Sequence, residues 1–308
     1  MRASTYDSYG DLDSLRVRDL PDPKVGPGEV LVEVRRAGVN PVDWKVMAGG
    51  LDPMLEASFP VVPGWDVAGV VRQVGLDAPE AAVGDEVLAY ARKDWVHGGT
   101  FAELVTVPAR AIAHKPAGLG WDEAGALPLA GLTALRTLRR LEVGAGDTVL
   151  VHAAAGGVGL FAVQIARELG ARVIGTASEA NHARLRELGV TPVTYGEGLP
   201  ARVRDHAPDG VDAVADFVGG VVEDTLAVLR PGGRHASVAD PAVLEHGGTS
   251  VWVRPDGEAL RWLAELAVSG ALVVDIAGFY GLDEVAEAFR RSQEGHVRGK
   301  LVVVVSHD

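Results

Sequence analysis

Residues 148–170, TVLVHAAAGGVGLFAVQIARELG, read as strand, small-residue turn and helix. Val149, Leu150 and Val151 form a short apolar run with β-branched ends, the composition of a buried parallel strand. From Ala153 to Gly159 no side chain is larger than Val158. Leu160, Val163, Ile165, Ala166 and Leu169 then fall at helical spacings, and Gly170 stops the helix. A turn with so little side chain lets backbone N–H groups approach a diphosphate, and the helix N-terminus behind it favours negative charge. Set against the dinucleotide fingerprint G-x-G-x-x-G, the six positions are Ala154, Ala155, Gly156, Gly157, Val158 and Gly159. Ala154 departs from the strict form, but the strand before and helix after supply the context the fingerprint needs.

Downstream of this turn, strand and helix signals alternate. Strands are expected at Arg172–Thr176, Val193–Thr194, Ala213–Phe217, His235–Val238 and Thr249–Val253. Helices are expected at Ala180–Leu188, Val221–Leu229 and Gly257–Val268. Strands alternating with helices mean a doubly wound parallel sheet. Upstream, residues 1–117 are β-rich and punctuated by Gly and Pro, as in a small barrel. Trp121–Arg140 carries helical spacings broken at Pro128. After Gly270 the chain reads Leu272–Asp275, then a helix from Asp283 to Arg291 capped by that aspartate, then the strand-like Lys300–Val305. These last pieces are expected to return to the first domain.

The bulk numbers set limits. The 308 residues suffice for two domains. A net charge of −13 without a basic run argues against nucleic acid or an anionic membrane as partner. The absence of cysteine excludes disulfides, thiolate zinc sites and a cysteine nucleophile. The first residues lack a signal-peptide pattern and no apolar run has membrane-spanning length, so the expected location is cytoplasmic.

The tip of the second strand reads the adenosine ribose, where an acid binds the 2′-hydroxyl and repels a 2′-phosphate. Here it reads Gly175-Thr176-Ala177-Ser178, with no carboxylate before Glu179. Ser178 and Asn181 can donate to a phosphate, with Arg184 near, so the expected cofactor is NADPH. Alternatively, Ser178 simply caps the next helix.

Several stretches together carry a family likeness. They are Ala37-Gly38-Val39-Asn40-Pro41-Val42-Asp43-Trp44-Lys45, Pro63-Gly64-Trp65-Asp66-Val67-Ala68-Gly69-Val70-Val71 and Gly84-Asp85-Glu86-Val87. Ala126 to Ala134 (ALPLAGLTA), the glycine turn and His296-Val297-Arg298-Gly299-Lys300 complete the set. In that order they resemble the zinc-independent quinone oxidoreductase and enone reductase branch of the medium-chain dehydrogenase/reductase superfamily. The resemblance implies an α/β chain: a GroES-like β-barrel catalytic domain (1–117 and 270–308) and a Rossmann NADP(H)-binding domain (118–269), with the active site in the cleft between them. The superfamily's zinc members place a ligand cysteine near position 40 and a ligand histidine at position 65; this chain has Asn40 and Trp65, so no metal is expected. Relatives are often dimers.

Without a Lewis acid, the easier task is hydride delivery to an acceptor that is already electron-poor, a quinone or an α,β-unsaturated carbonyl. Such a site must align the nicotinamide with the acceptor and meet the carbonyl oxygen with a donor. Asn40, Lys45 and Asp43 are the candidate catalytic residues. Asn40 can donate an amide hydrogen to a carbonyl, and Lys45 can stabilise an enolate or quinol oxygen. The plain alternatives are an Asn-Pro turn, a helix-capping Asp43 and a solvated Lys45.

The cofactor set is Ala155, Gly156, Gly157 and Val158 in the turn, Ser178 and Asn181 at the ribose, and Thr133, which matches the family position near the nicotinamide. Thr133 could instead bond back to its own helix. Tyr195, after the third strand, is where relatives meet the adenosine, or else a surface aromatic. Val218, Gly219, Val238 and Ala239 follow the fourth and fifth strands at the carboxyl edge. Phe279 would cover the nicotinamide or fill core, and Lys300 would reach the phosphates or serve as a strand-edge charge. His152 reads as a packed, hydrogen-bonded residue. The leading function is NADPH-dependent reduction of quinones or enones. A dedicated biosynthetic enoyl reductase and a low-turnover nucleotide sensor remain as alternatives.

Overall fold

The computed structural model describes residues 1–306. Its chain forms two compact units. One holds Met1–Leu132, Arg254–Gly270 and the chain from Ile276 onward; the other holds Thr133–Val253 and Ala271–Asp275.

The first unit is built around the strand Glu29–Val39, whose 11 residues are long enough to serve different partners along their length. Leu104–Pro108 pairs with Glu29 to Glu33, while Lys300–Val304 pairs with Arg36 to Val39, both antiparallel. Asp66–Val74 flanks the same strand and leads on to Glu86–Tyr90 and Ile112–His114. Strands from residues 29–114 and from 276–304 thus meet in one seven-stranded sheet. Val30, Val32 and Val34 alternate into the core with Val67, Val71, Val87 and Val107, all fully buried. The short helix Pro41–Met47 follows the central strand directly. Asn40 is its extended N-cap, Pro41 supplies a preset φ at the first position, and Asp43 reaches back to the Asn40 N–H at 2.8 Å.

The second unit is a six-stranded parallel sheet. In space its strands run Thr191–Val193, Arg172–Thr176, Thr148–Val151, Val211–Asp216, Leu229–Ser237 and Thr249–Ser250. Numbered within the unit this is 3-2-1-4-5-6, the doubly wound order, with its reversal beside Thr148–Val151. Residues 271–275 join this unit because Gln164 clamps Val273: its Nε2 donates to Val273 O at 3.0 Å and its Oε1 accepts from Val273 N at 2.7 Å.

The packing divides the chain at 132/133 and 253/254, later than the expected boundary at 118 and earlier than the one at 269. The helix Trp121–Ala126 therefore sits with the barrel: Gly38 and Gly125 approach so closely that a Cβ on Gly38 would lie 2.7 Å from Gly125 O. The helix Gly257–Ser269 likewise lies against Ile112.

Three local expectations change. Asp283 caps nothing. A 3-10 turn, Leu282–Glu284, precedes the helix Val285–Gln293, and Glu284 reaches back to accept from Gly281 N at 2.6 Å. The sixth strand shortens to Thr249–Ser250. A strand at Ile276–Gly281, parallel to Lys300–Val304, had no sequence signal because glycines interrupt its apolar pattern. Among the described residues no helix is long and apolar enough to cross a membrane.

Candidate functional site

In the second unit the small-residue turn leaves the carboxyl end of Thr148–Val151, at the sheet's reversal point. Two bonds tie it to the neighbouring strand: Ala153 N donates to Thr176 Oγ1 at 3.0 Å, and Ala154 N donates to Thr176 O at 2.9 Å. The helix Gly157–Glu168 then starts from Gly156, which has no side chain to cap it. Gly159 is required by space, since a Cβ there would overlap Ala153 O and lie 2.8 Å from Ala154 Cα. Ala155 is buried, and Gly156, Gly157 and Val158 are half-buried. The turn is small, tethered and backed by a helix N-terminus, which suits a diphosphate.

The loops beyond the fourth and fifth strands are stitched together by Asp216, a residue the sequence reading missed. It is 3% exposed. Its Oδ1 accepts from the N–H groups of Val218 (2.8 Å) and Gly219 (3.0 Å), and its Oδ2 accepts from Ser237 Oγ (2.6 Å). Ser237 Oγ in turn accepts from Ala239 N at 3.1 Å and Asp240 N at 2.9 Å. Val218, Gly219, Val238 and Ala239 are therefore brought together on one braced rim, with Val218 exposed. His152, buried at the end of the first strand, has Nε2 at 3.2 Å from Thr225 Oγ1. Burial lowers its pKa, opposed by Asp216 and Asp224, so it is a packed neutral side chain.

At the second strand's tip, Asn181 Nδ2 donates to Ser178 Oγ at 3.2 Å. Ser178 makes no side-chain cap bond. The Arg184 guanidinium is taken by Asp275 (2.9 and 2.6 Å) and by Glu187 (3.1 Å). Tyr195 is exposed. Thr133 is buried, and its carbonyl accepts from Thr137 Oγ1 at 2.8 Å.

The first unit holds a second polar constellation, wholly buried. Lys300, 4% exposed, donates to Val39 O at 2.9 Å and to Asn40 Oδ1 at 2.5 Å. Asn40 Nδ2 donates to Asp66 Oδ2 at 2.8 Å and reaches Gly38 O at 3.4 Å. Asp66 Oδ1 accepts from Leu129 N at 2.6 Å, and Lys300 Nζ lies 3.8 Å from Asp66 Oδ2. Asn40 thus relays between a buried cation and a buried anion, with its amide hydrogens committed inside the protein. Burial pushes Asp66 up to about 6, against the pull of Lys300 and the bonds from Asn40 and Leu129. Burial pushes Asp43 higher, to about 8, against the Asn40 N–H bond. It lowers Lys300, against Asp66 and Asp43.

Lys45 is outside this cluster. It is exposed, its Nζ 5.5 Å from the ring centre of Trp44, whose Nε1 donates to Ser292 Oγ at 3.2 Å. Phe279 is exposed on its strand. Asp66 was overlooked in the sequence although the signal was there: an acid opening the otherwise apolar run 66–71 must find partners or be expelled. Among the described residues no group of three or more His, Cys, Asp or Glu could hold a metal.

Comparison with known proteins agrees with this fold. The family model described as an alcohol dehydrogenase GroES-like domain matches residues 26–117, and that of a zinc-binding dehydrogenase matches 188–303. The chain is 33% identical to an Arabidopsis thaliana chloroplastic NADPH-dependent alkenal/one oxidoreductase, over 98% of this chain and 79% of that protein. It is 31% identical to a Triphysaria versicolor chloroplastic quinone-oxidoreductase, QR1, over 98% of each. Among solved structures, a Coxiella burnetii quinone oxidoreductase superposes with TM-score 0.88 at 33% identity, covering 99% of both chains. A mycobacterial protein solved in complex with NADPH superposes with TM-score 0.85 at 32% identity, covering 99% of this chain and 100% of that one.

Proposed function

Because this chain belongs to the medium-chain dehydrogenase/reductase superfamily, in its quinone and enone reductase branch, we propose that it reduces quinones or α,β-unsaturated carbonyls with NADPH and without a metal. Membership makes it an oxidoreductase of the nicotinamide-dependent kind; the finer assignments rest on its own residues. The observation that carries the reading is the tethered small-residue turn at the reversal point of a 3-2-1-4-5-6 sheet, where such sheets take dinucleotides.

A nicotinamide cofactor fits what stands there. Ala155, Gly156, Gly157 and Val158 would hold its diphosphate, Ser178 and Asn181 its ribose end, and Val218, Gly219, Val238 and Ala239 the rim beside it. The preference for a 2′-phosphate is supported by the absence of a carboxylate before the exposed Glu179. Arg184 is neutralised by Asp275 and Glu187, so Ser178 and Asn181 carry that recognition. When bound, the reduced nicotinamide supplies a hydride.

The chain's residues do the rest. Asn40 holds Lys300 to Asp66 and fixes the start of the helix that carries Asp43 and Lys45. Lys45 offers its exposed ammonium to the oxygen on which charge develops. Metal independence is supported by Asn40 and Trp65 at the positions where zinc members have ligands, and by the Lys300 ammonium 2.5 Å from Asn40 Oδ1, which would repel a second cation.

The test is NADPH consumption against a panel of quinones and enones, with dissociation constants for NADPH and NADH measured alongside. Turnover of at least one class and tighter NADPH are expected. NADPH binding without turnover of any acceptor would refute the reductase assignment, and equal affinities would refute the phosphate preference.

A further inference from the structure

The loops that follow the fourth and fifth strands of the second unit lie against each other. A Cβ on Gly219 would come 3.4 Å from Ala239 Cβ. Gly219 and Gly220 take φ values of 83° and 69°. Glycine enters that region freely and leaves it as freely, so the bend needs a hold from elsewhere.

Asp216 and Ser237 supply it, and their bonds run one way. Ser237 is 0% exposed, and a hydroxyl has one hydrogen and two lone pairs to use. The lone pairs take Ala239 N and Asp240 N. The hydrogen goes to Asp216 Oδ2 at 2.6 Å, the length of a hydroxyl on a carboxylate. Asp216 only accepts: Oδ1 from Val218 N and Gly219 N, and Oδ2 from Ser237 and, at 3.2 Å, from Gly219 N. The backbone ladder runs on beside this link, Val238 N donating to Asp216 O at 3.1 Å, and Gly220 N crosses to Asp240 Oδ2 at 3.1 Å nearer the surface.

The small-residue turn has its own brace, Thr176 holding Ala153 and Ala154. The two braces share no residue. They also fall on opposite sides of the reversal beside Thr148–Val151, one on the first three strands and one on the fourth and fifth. Each half of such a sheet takes one nucleotide of the pair. With the adenosine ribose at Ser178 in the first half, the second half takes the nicotinamide nucleotide.

We propose that Asp216 and Ser237 are positioning residues that lock these two loops into a single bearing for the nicotinamide half of the cofactor, independently of the brace under the adenosine half. This rests on the nicotinamide-cofactor reading and says how the second half of that site is held. Both side chains are buried, so they act through the backbone of Val218, Gly219, Ala239 and Asp240.

The one-way bonding gives the lock a signature. Asparagine at 216 has nearly the shape of aspartate but carries one oxygen and one NH₂. With its oxygen toward Val218 and Gly219, the NH₂ faces a hydroxyl whose lone pairs are already taken. Turned round, the NH₂ faces two N–H donors. Either way the loops come uncoupled. Ser237→Ala breaks the same link and frees Ala239 and Asp240, yet leaves Val218 and Gly219 on Asp216.

The test uses the full chain, first without cofactor. Hydrogen–deuterium exchange at the amides of Ala239 and Asp240 should quicken at least about tenfold in Asp216→Asn, although Asp216 bonds neither, while exchange in the turn 153–159 stays as it was. Binding titrations then compare NADPH with adenosine 2′,5′-bisphosphate, which lacks the nicotinamide half. Asp216→Asn and Ser237→Ala should each weaken NADPH at least about fivefold, the scale of one buried hydrogen bond, and leave the bisphosphate within about twofold. The double variant should bind NADPH within about twofold of Ser237→Ala alone, because both changes break one link. A general loosening of the fold would weaken both ligands together. Should Asp216→Asn fold poorly, Ser237→Ala carries the same comparison of ligands. Unchanged exchange at Ala239 and Asp240, NADPH affinity unmoved in both variants, equal losses on the two ligands, or losses that multiply in the double variant would overturn the proposal and leave the reductase reading standing. A wild-type chain that binds neither ligand would sink the cofactor reading, and this inference with it.

Discussion

Asp43→Asn makes a prediction about stability, independent of catalysis. The Asp43 carboxyl rises from its usual 3.8 to about 8 in the fold. The folded chain therefore binds this proton more tightly than the unfolded chain does. That contribution is fully present below the unfolded pKa and is lost as pH rises through the folded one. Each unit of the gap is worth about 1.36 kcal/mol. Between pH 6 and pH 8 the unfolded carboxyl is ionised throughout, while the folded one goes from fully to half protonated. Wild type should lose about 2 kcal/mol over that window from this group alone. Asparagine does not titrate, so the variant escapes the loss, and the other titrating groups cancel in the difference. The assay is urea unfolding at the two pH values, followed by tryptophan fluorescence. Trp44, Trp65, Trp95, Trp121 and Trp262 all lie in the first unit, which makes the signal chiefly its own. The variant should gain about 2 kcal/mol on wild type from pH 6 to pH 8. A stability difference that is the same at both pH values would show that Asp43 is ionised in the folded chain, and would refute the argument from burial.

Three further outcomes follow from the same geometry. Gly159→Ala drives a methyl group into the backbone of Ala153 and Ala154; fluorescence titration should show NADPH binding weakened at least about tenfold, or about 1.4 kcal/mol, and an unchanged dissociation constant would refute the tight-turn account. Lys45→Ala removes an exposed cation that makes no ion pair among the described residues, so kcat on quinones should fall while NADPH affinity holds; an unchanged kcat would take Lys45 out of the reaction. Prolonged dialysis against EDTA should leave activity within error, and a loss restored by zinc would overturn the metal-free reading.

The second unit was legible in the sequence because its signals are local. A β-branched run, a stretch without side chains and an apolar helix follow one another within residues 148–170, and each later strand repeats the pattern at short range. The boundaries that shifted lie where pairing and not composition decides. Thr249–Val253 keeps only Thr249 and Ser250 in the ladder because only those two find register on Ala236 and Ser237. Ile276–Gly281 is a strand because Lys300–Val304 is beside it, and nothing in IAGFYG announces that. The braces behind the loops after the fourth and fifth strands were equally silent. Asp216 closes an apolar strand, and its work is to hold the N–H groups of two loops, a task visible only once Ser237 is seen next to it.

The buried cluster of the first unit shows where reading residues one at a time fails. Asn40 and Lys300, assigned separately to substrate and phosphates, stand 2.5 Å apart across 260 residues of chain. Their partner Asp66 lies 26 residues from Asn40. An amide that accepts from an ammonium and gives its two hydrogens to a carboxylate and to Gly38 O has none left for a substrate carbonyl. On the proposed metal-free reading, the same cluster would also resist a metal. Swapping Asn40 for a ligand would strand Lys300 and Asp66 as buried charges with one partner fewer, at a cost of several kcal/mol. The ammonium would still sit against the incoming cation. Restoring a metal to this scaffold therefore means dismantling the network, and a single substitution at position 40 should unfold the first unit before it binds zinc.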